Sequence, residues 1–189
     1  MTTPSVVLAA ATQRPRRRDV LAVAACVLVQ IAVMTTFALL PRERAGVPLD
    51  LAPIGFAEMF VHNGSVFLLW LAGGLTLGLV SLGLAGLSSA ASGLSIGAAF
   101  ERNGAETFTH LGHAVFELPA LAIALWLSLR PLAWAAQSLR SGTDHGGRDR
   151  PPLVGFLRGL AWWLPIAAIL LAAAAVWETA TPFLPEPTP

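Results

Sequence analysis

From Gly64 to Phe100 the chain runs for 37 residues without a charged side chain. One helix crosses the hydrocarbon core of a bilayer in about 20 residues, so the run suits two crossings better than one. A second uncharged run, Val20 to Leu40, has the length of one crossing. Composition agrees. Hydrophobic residues make up 55% of the 189 residues and charged ones 12%, where a soluble domain carries about a quarter charged. The chain cannot cover a globule with charge, and the expected fold is an all-α, polytopic transmembrane helix bundle. A net charge of +1 offers no basic face, which excludes nucleic acid as a partner and leaves the lipid bilayer.

The apolar runs and their breaks predict about five spans. Residues 1–19 form an Arg-rich N-terminal segment, 20–181 the transmembrane domain and 182–189 a proline-rich, disordered tail. Val20–Leu40 is too long for a signal-peptide core and reads as a retained first span. A loop over 41–64 includes a partly apolar stretch, Leu51 to Val61, suited to a short interfacial helix. The long run divides at Gly86-Leu87-Ser88-Ser89-Ala90-Ala91-Ser92, small and polar enough to turn, giving spans near 65–84 and 87–100. The alternative is four spans plus a re-entrant half-helix. A fourth span covers His110–Leu129, a polar linker 137–152, and a last span Val154–Val176. Trp162 and Trp163 lie deep for an interfacial belt, while Trp177 fits one. Gly74/Gly78 and Gly93/Gly97 have the four-residue spacing that lets membrane helices approach closely.

All twelve basic residues are Arg. With five spans, the four arginines among residues 14–18 and those of the 137–152 linker share one side. The positive-inside rule then predicts a bacterial cytoplasmic (inner) membrane protein with its N-terminus in the cytoplasm. Cys26 is the single cysteine and cannot form an internal disulfide.

Polar residues inside membrane segments are costly and each needs a reason. His110, His113 and Glu117, spaced i, i+3 and i+7, share a face on a continuous helix. Glu178 and the His62-Asn63 pair fall at the same membrane boundary. Three readings follow. The groups bond across helices and fix packing; or His110, His113 and Glu117 ligate zinc, with no HExxH motif present; or His113 works as a metal-free acid–base group with Glu117 or Glu178. Gly93-Leu94-Ser95-Ile96-Gly97 matches the nucleophile-elbow pattern. It lacks the strand before the serine that the elbow needs, and reads as small-residue packing.

Leu111-Gly112-His113-Ala114-Val115-Phe116-Glu117-Leu118-Pro119-Ala120 resembles the central motif L-P-H-G-x-F-E-L-P-A of the stage II sporulation protein M family. Trp177-Glu178-Thr179-Ala180-Thr181-Pro182 resembles its closing E-A-x-x-T-P. Asn63 and the Gly93–Gly97 pair match two further positions in the right order, and the resemblance covers roughly residues 55–183. Gly112 stands where the motif has proline, Ala114 where it has glycine, and Ser92 where it has asparagine. The resemblance implies His113, Glu117 and Glu178 as the family's polar positions, with His110 outside them.

For function, the resemblance implies a membrane component that scaffolds soluble cell-wall-remodelling hydrolases during sporulation. Alternatively it implies a protein of circular-bacteriocin systems, concerned with maturation, secretion or immunity. Two expectations result. One is a non-enzymatic scaffold or export component, partnered by other membrane proteins, a small hydrophobic peptide or an ABC transporter. The other is a membrane-embedded peptide-maturation enzyme whose candidate catalytic groups are His113, Glu117 and Glu178. No cofactor is expected beyond the zinc that the second reading of the cluster allows.

Overall fold

The computed structural model describes residues 17–41, 55–140 and 152–181, with side chains described there except at 110, 137–140 and 152–155. Most of the Arg-rich segment, the apolar stretch 51–54, the linker 141–151 and the tail 182–189 lie outside the described residues. Five long helices carry the fold: α1 (Arg17–Ala38), α2 (Phe56–Ala72), α3 (Leu79–Asn103), α4 (Ala114–Arg140) and α5 (Pro152–Ala180). Each belongs to a helical stretch long and apolar enough to cross a membrane, and no strand occurs among the described residues. In lipid every backbone N–H and C=O needs an internal partner, and a continuous helix supplies one.

Two expected boundaries move. The run from Gly86 to Ser92 is helical, in the middle of α3. Serine hydroxyls and small residues sit readily in a membrane helix that packs closely on a neighbour. The reversal falls earlier. After a 3₁₀ turn at Gly73–Thr76, Leu77 and Gly78 adopt positive φ values of 54° and 82°. The second span also starts earlier, at Phe56, so Phe56–Val61 forms the opening turns of α2 and no separate interfacial helix.

The turn satisfies its own polar groups. Thr76 Oγ1 donates to the Gly73 carbonyl (2.7 Å) and accepts from the Val80 N–H (3.3 Å). The Gly78 N–H donates to Gly73 O (3.0 Å), and the Ser81 hydroxyl donates to Trp70 O. Gly74 and Gly78 therefore shape a turn and also meet the packing expectation, since both lie closely against α4, Gly74 on Ser128 and Gly78 on Ser128 and Leu129. Gly93 fulfils the packing expectation: its Cα lies against the Met34 carbonyl and the Phe37 side chain of α1. It belongs to a stripe of small residues at four-residue intervals, Ser81, Ala85, Ser89, Gly93 and Gly97, all buried.

The central helix is α4, which packs against each of the other four. Ala120 to Leu125 are buried without interruption, as are Leu127 and Ser128. A helix buried on all sides is the middle of a bundle. By contrast α1 is mostly outward: 11% of its apolar window is buried, against 44% for α4. Five alternating crossings bring the C-terminal ends of α1, α3 and α5 together with the N-terminal ends of α2 and α4. His62, His113, Glu117 and Glu178 all lie at this end, called the histidine end below. The opposite, arginine end carries Arg17, Arg18, Arg130 and the Leu77–Gly78 turn.

Candidate functional site

The site begins with a broken helix. A single α-turn, Thr107–His110, passes into a 3₁₀ turn, Leu111–His113, before α4 starts at Ala114. His110 is thus not on one continuous α-helix with His113 and Glu117, and its side chain lies outside the described ones. His113, the last residue of the 3₁₀ turn, and Glu117, in the first turn of α4, are four residues apart and meet across that junction.

The turn is held against α5 by an aromatic contact. The Cα of Gly112 lies so close to the Trp177 indole that any Cβ there would run into the ring. Trp177 Nε1 donates a long hydrogen bond to the Thr109 carbonyl (3.4 Å). Phe116 packs on the same ring, with centroids 6.4 Å apart. Gly112, in place of the family motif's proline, therefore admits Trp177, and seating Trp177 brings its neighbour Glu178 up to His113.

The resulting geometry joins two helices. His113 Nε2 stands 3.7 Å from Glu117 Oε2 in the first turn of α4 and 3.7 Å from Glu178 Oε1 on α5. The three side chains retain 23%, 26% and 18% of their exposure. Glu178 Oε2 is buried without a hydrogen-bond partner. From α2, His62 lies within electrostatic reach of both carboxylates. Its neighbour Asn63 is buried, with Nδ2 unpartnered. Four titratable groups from three helices thus gather at one depth.

An imidazole between two carboxylates can hold a proton and bridge both, or pass a proton between them. Among the described residues, no three His, Cys, Asp or Glu side chains are placed to hold a metal ion. Ser95, of the elbow-like pattern, lies on the exposed side of α3, an ordinary helix residue.

Trp177 and Gly112 escaped the sequence reading as members of the site. Trp177 suggested only an interfacial anchor, although its position directly before Glu178 was a usable signal. His62 lies at the expected end, in the second turn of α2 beside the buried Asn63.

Fold and site together define a five-helix membrane protein with a polar His/Glu cluster at one membrane boundary. The family model described as "Stage II sporulation protein M" matches residues 20–181, and the chain belongs to that family. The match takes in α1, upstream of the motif-bearing region. No curated protein and no solved structure matches the chain.

Proposed function

We propose that the protein is a non-enzymatic membrane scaffold or export component, whose His/Glu cluster fastens α4 to α5 and shapes a docking surface for another membrane protein or a hydrophobic peptide. The observation that carries this reading is the cross-helix pair His113–Glu178, seated by Trp177 against Gly112. Buried or half-buried polar pairs between membrane helices fix packing and register. In the bilayer the arginine end faces the cytoplasm and the histidine end the outer side, following the arginine distribution.

The test is a His113→Ala variant produced in membranes and solubilised gently. The expected result is a folded protein that no longer retains the partners co-purifying with wild type. Retention of those partners, with loss of a chemical product made by wild type, overturns the scaffold reading. One observation favours a second reading, a membrane-embedded peptide-maturation enzyme: Glu178 Oε2 is buried without a partner beside a partly open imidazole. That arrangement suits an acid–base pair awaiting a substrate.

A further inference from the structure

We propose that the slot between α1 and α5 is a binding site for an anionic phospholipid, with one acyl chain along its apolar walls and the phosphate at an arginine rim. The proposal goes beyond the scaffold reading and does not depend on it.

The slot follows from how the helices pack. Both α1 and α5 pack on α4, with no substantial contact between them. What remains is an open apolar groove of about 490 Å³. One wall is α1 from Val20 to Leu28, the other is α5 from Trp163 to Leu170, and Pro119 and Ile123 of α4 form the floor. Both walls run from the arginine end toward the middle of the bundle. Val20 to Leu28 covers about 12 Å of helix. One leaflet is half of a hydrocarbon core about 30 Å thick, so the groove is roughly one leaflet deep. That length suits an acyl chain and falls short of a partner's membrane-spanning helix.

The charges choose the headgroup. Among the described residues, Asp19 is the one acidic side chain at the arginine end, and all the others lie at the histidine end. Four arginines frame the mouth of the groove. Arg17 and Arg18 are exposed, within a turn of Val20, and Arg158 precedes Trp163 by five residues on α5. Arg130 follows Ile123 by seven residues, two turns along the same face of α4, and its guanidinium lies across Gly159 of α5. Arg130 and Arg158 also interact within the protein. A guanidinium has several N–H donors, so it can serve a phosphate as well. Basic pockets between membrane helices recognise anionic headgroups in this way. A zwitterionic headgroup brings its phosphate with a cation that the rim repels.

The experiment reconstitutes the full-length protein in phosphatidylcholine vesicles containing a minor fraction of lipid brominated on its acyl chain, either phosphatidylglycerol or phosphatidylcholine. Bromine quenches indole fluorescence on contact, and Trp163 lines the groove. The readout is therefore the quenching seen in wild type and missing from Trp163→Phe. Brominated phosphatidylglycerol is expected to quench Trp163 at roughly one-fifth of the mole fraction that brominated phosphatidylcholine needs. The double variant Arg17→Gln/Arg18→Gln should lose most of that preference. Ala24→Phe fills the groove and keeps the rim, and should suppress quenching by both lipids. Equal quenching by the two lipids overturns the proposal, as does a preference that survives the arginine double variant. Phosphatidylglycerol quenching untouched by Ala24→Phe would place the lipid outside the groove and overturn it too. So would no Trp163 quenching in wild type, which would mean that a partner's helix or a second copy covers the slot. If the double variant does not fold, wild type in high salt takes its place: screening should abolish the preference, and its persistence overturns the site.

Discussion

The two ends of the bundle are built on opposite plans. At the arginine end, backbone meets backbone. Gly73 lies against Ser81, Gly74 against Ser128, and Gly78 against Ser128 and Leu129, while Gly159 leaves room for the Arg130 guanidinium to lie across α5. Each of these contacts depends on a missing side chain, and the hydroxyls of Thr76 and Ser81 bond to nearby carbonyls. At the histidine end the polar groups reach each other through long side chains at 3.7 Å. Buried atoms of Asn63, Thr107 and Glu178 lack hydrogen-bond partners, as do the indole nitrogens of Trp126 and Trp162 further toward the arginine end. A native structure leaves few buried polar groups unsatisfied, and each one asks for a reason. The difference teaches a division of labour in packing: tight backbone contacts close the arginine end, and long polar side chains join the helices at the histidine end.

If that division is right, the largest loss of stability comes from the arginine end. Gly78→Val forces an L side chain into φ +82°, with its Cβ 2.7 Å from Leu129 Cδ2 and 2.9 Å from the Ser128 carbonyl. Left-handed strain costs about 1–2 kcal/mol and overpacking about 1–3 kcal/mol. The expected outcome is a drop in monodisperse protein on detergent size exclusion, together with a lower unfolding midpoint. An unchanged profile would break the comparison.

Next comes the seam between the two plans, where the histidine end borrows the close-approach device. Gly112→Leu drives a side chain into the Trp177 ring and should cost about 1–3 kcal/mol, displacing Glu178 as well. Adding Trp177→Ala opens the space again. The double variant is expected to recover most of the unfolding midpoint but not partner retention, because Glu178 is then no longer seated. Recovery of both would mean that Trp177 only fills space.

His113→Ala should cost less in stability than Gly78→Val and more in function. Removing the imidazole leaves two carboxylates facing each other, for a loss of about 1–3 kcal/mol. Glu178→Gln in the same chain should return part of it by removing one of the charges. The midpoint is the readout for stability and co-purification for function. A larger midpoint loss than in Gly78→Val would invert the division proposed here.

The two ends also differed in how far the sequence announced them. The polar cluster was legible because charged residues in an apolar stretch stand out: His113, Glu117 and Glu178 were each singled out, and the chain brings them together. Five helices followed from length and hydropathy together with the arginine distribution, which favours five spans over four and a re-entrant half-helix. The turn at Leu77–Gly78 was not legible. Its residues are as apolar as the span around them, and no charge or proline marks the reversal. The serines of 86–92 misled for a related reason, since small polar residues serve both turns and close helix contacts, and only the neighbour decides. Here the neighbour is α1, whose Met34 carbonyl comes to rest on Gly93. The seating of Glu178 by Trp177 was equally hidden, because a tryptophan at a span end fits an interfacial anchor just as well.

The smallest effect separates the two carboxylates, although each stands 3.7 Å from the same nitrogen. Glu117 is paired with His113 locally, at i and i+4 across the junction of the 3₁₀ turn and α4, a contact that is worth about 0.3–0.5 kcal/mol and that α4 does not need in order to form. Glu178 makes the equivalent contact from another helix, where losing it frees one span from another. Glu117→Gln is therefore expected to shift the midpoint barely beyond error and to keep the partners bound. Glu178→Gln should leave α4 intact yet release them. If the two substitutions behave alike, the cluster acts through its total charge, and the cross-helix geometry is not what matters. If only Glu117→Gln abolishes partner binding, the docking surface lies on α4 itself, and the clasp to α5 merely accompanies it.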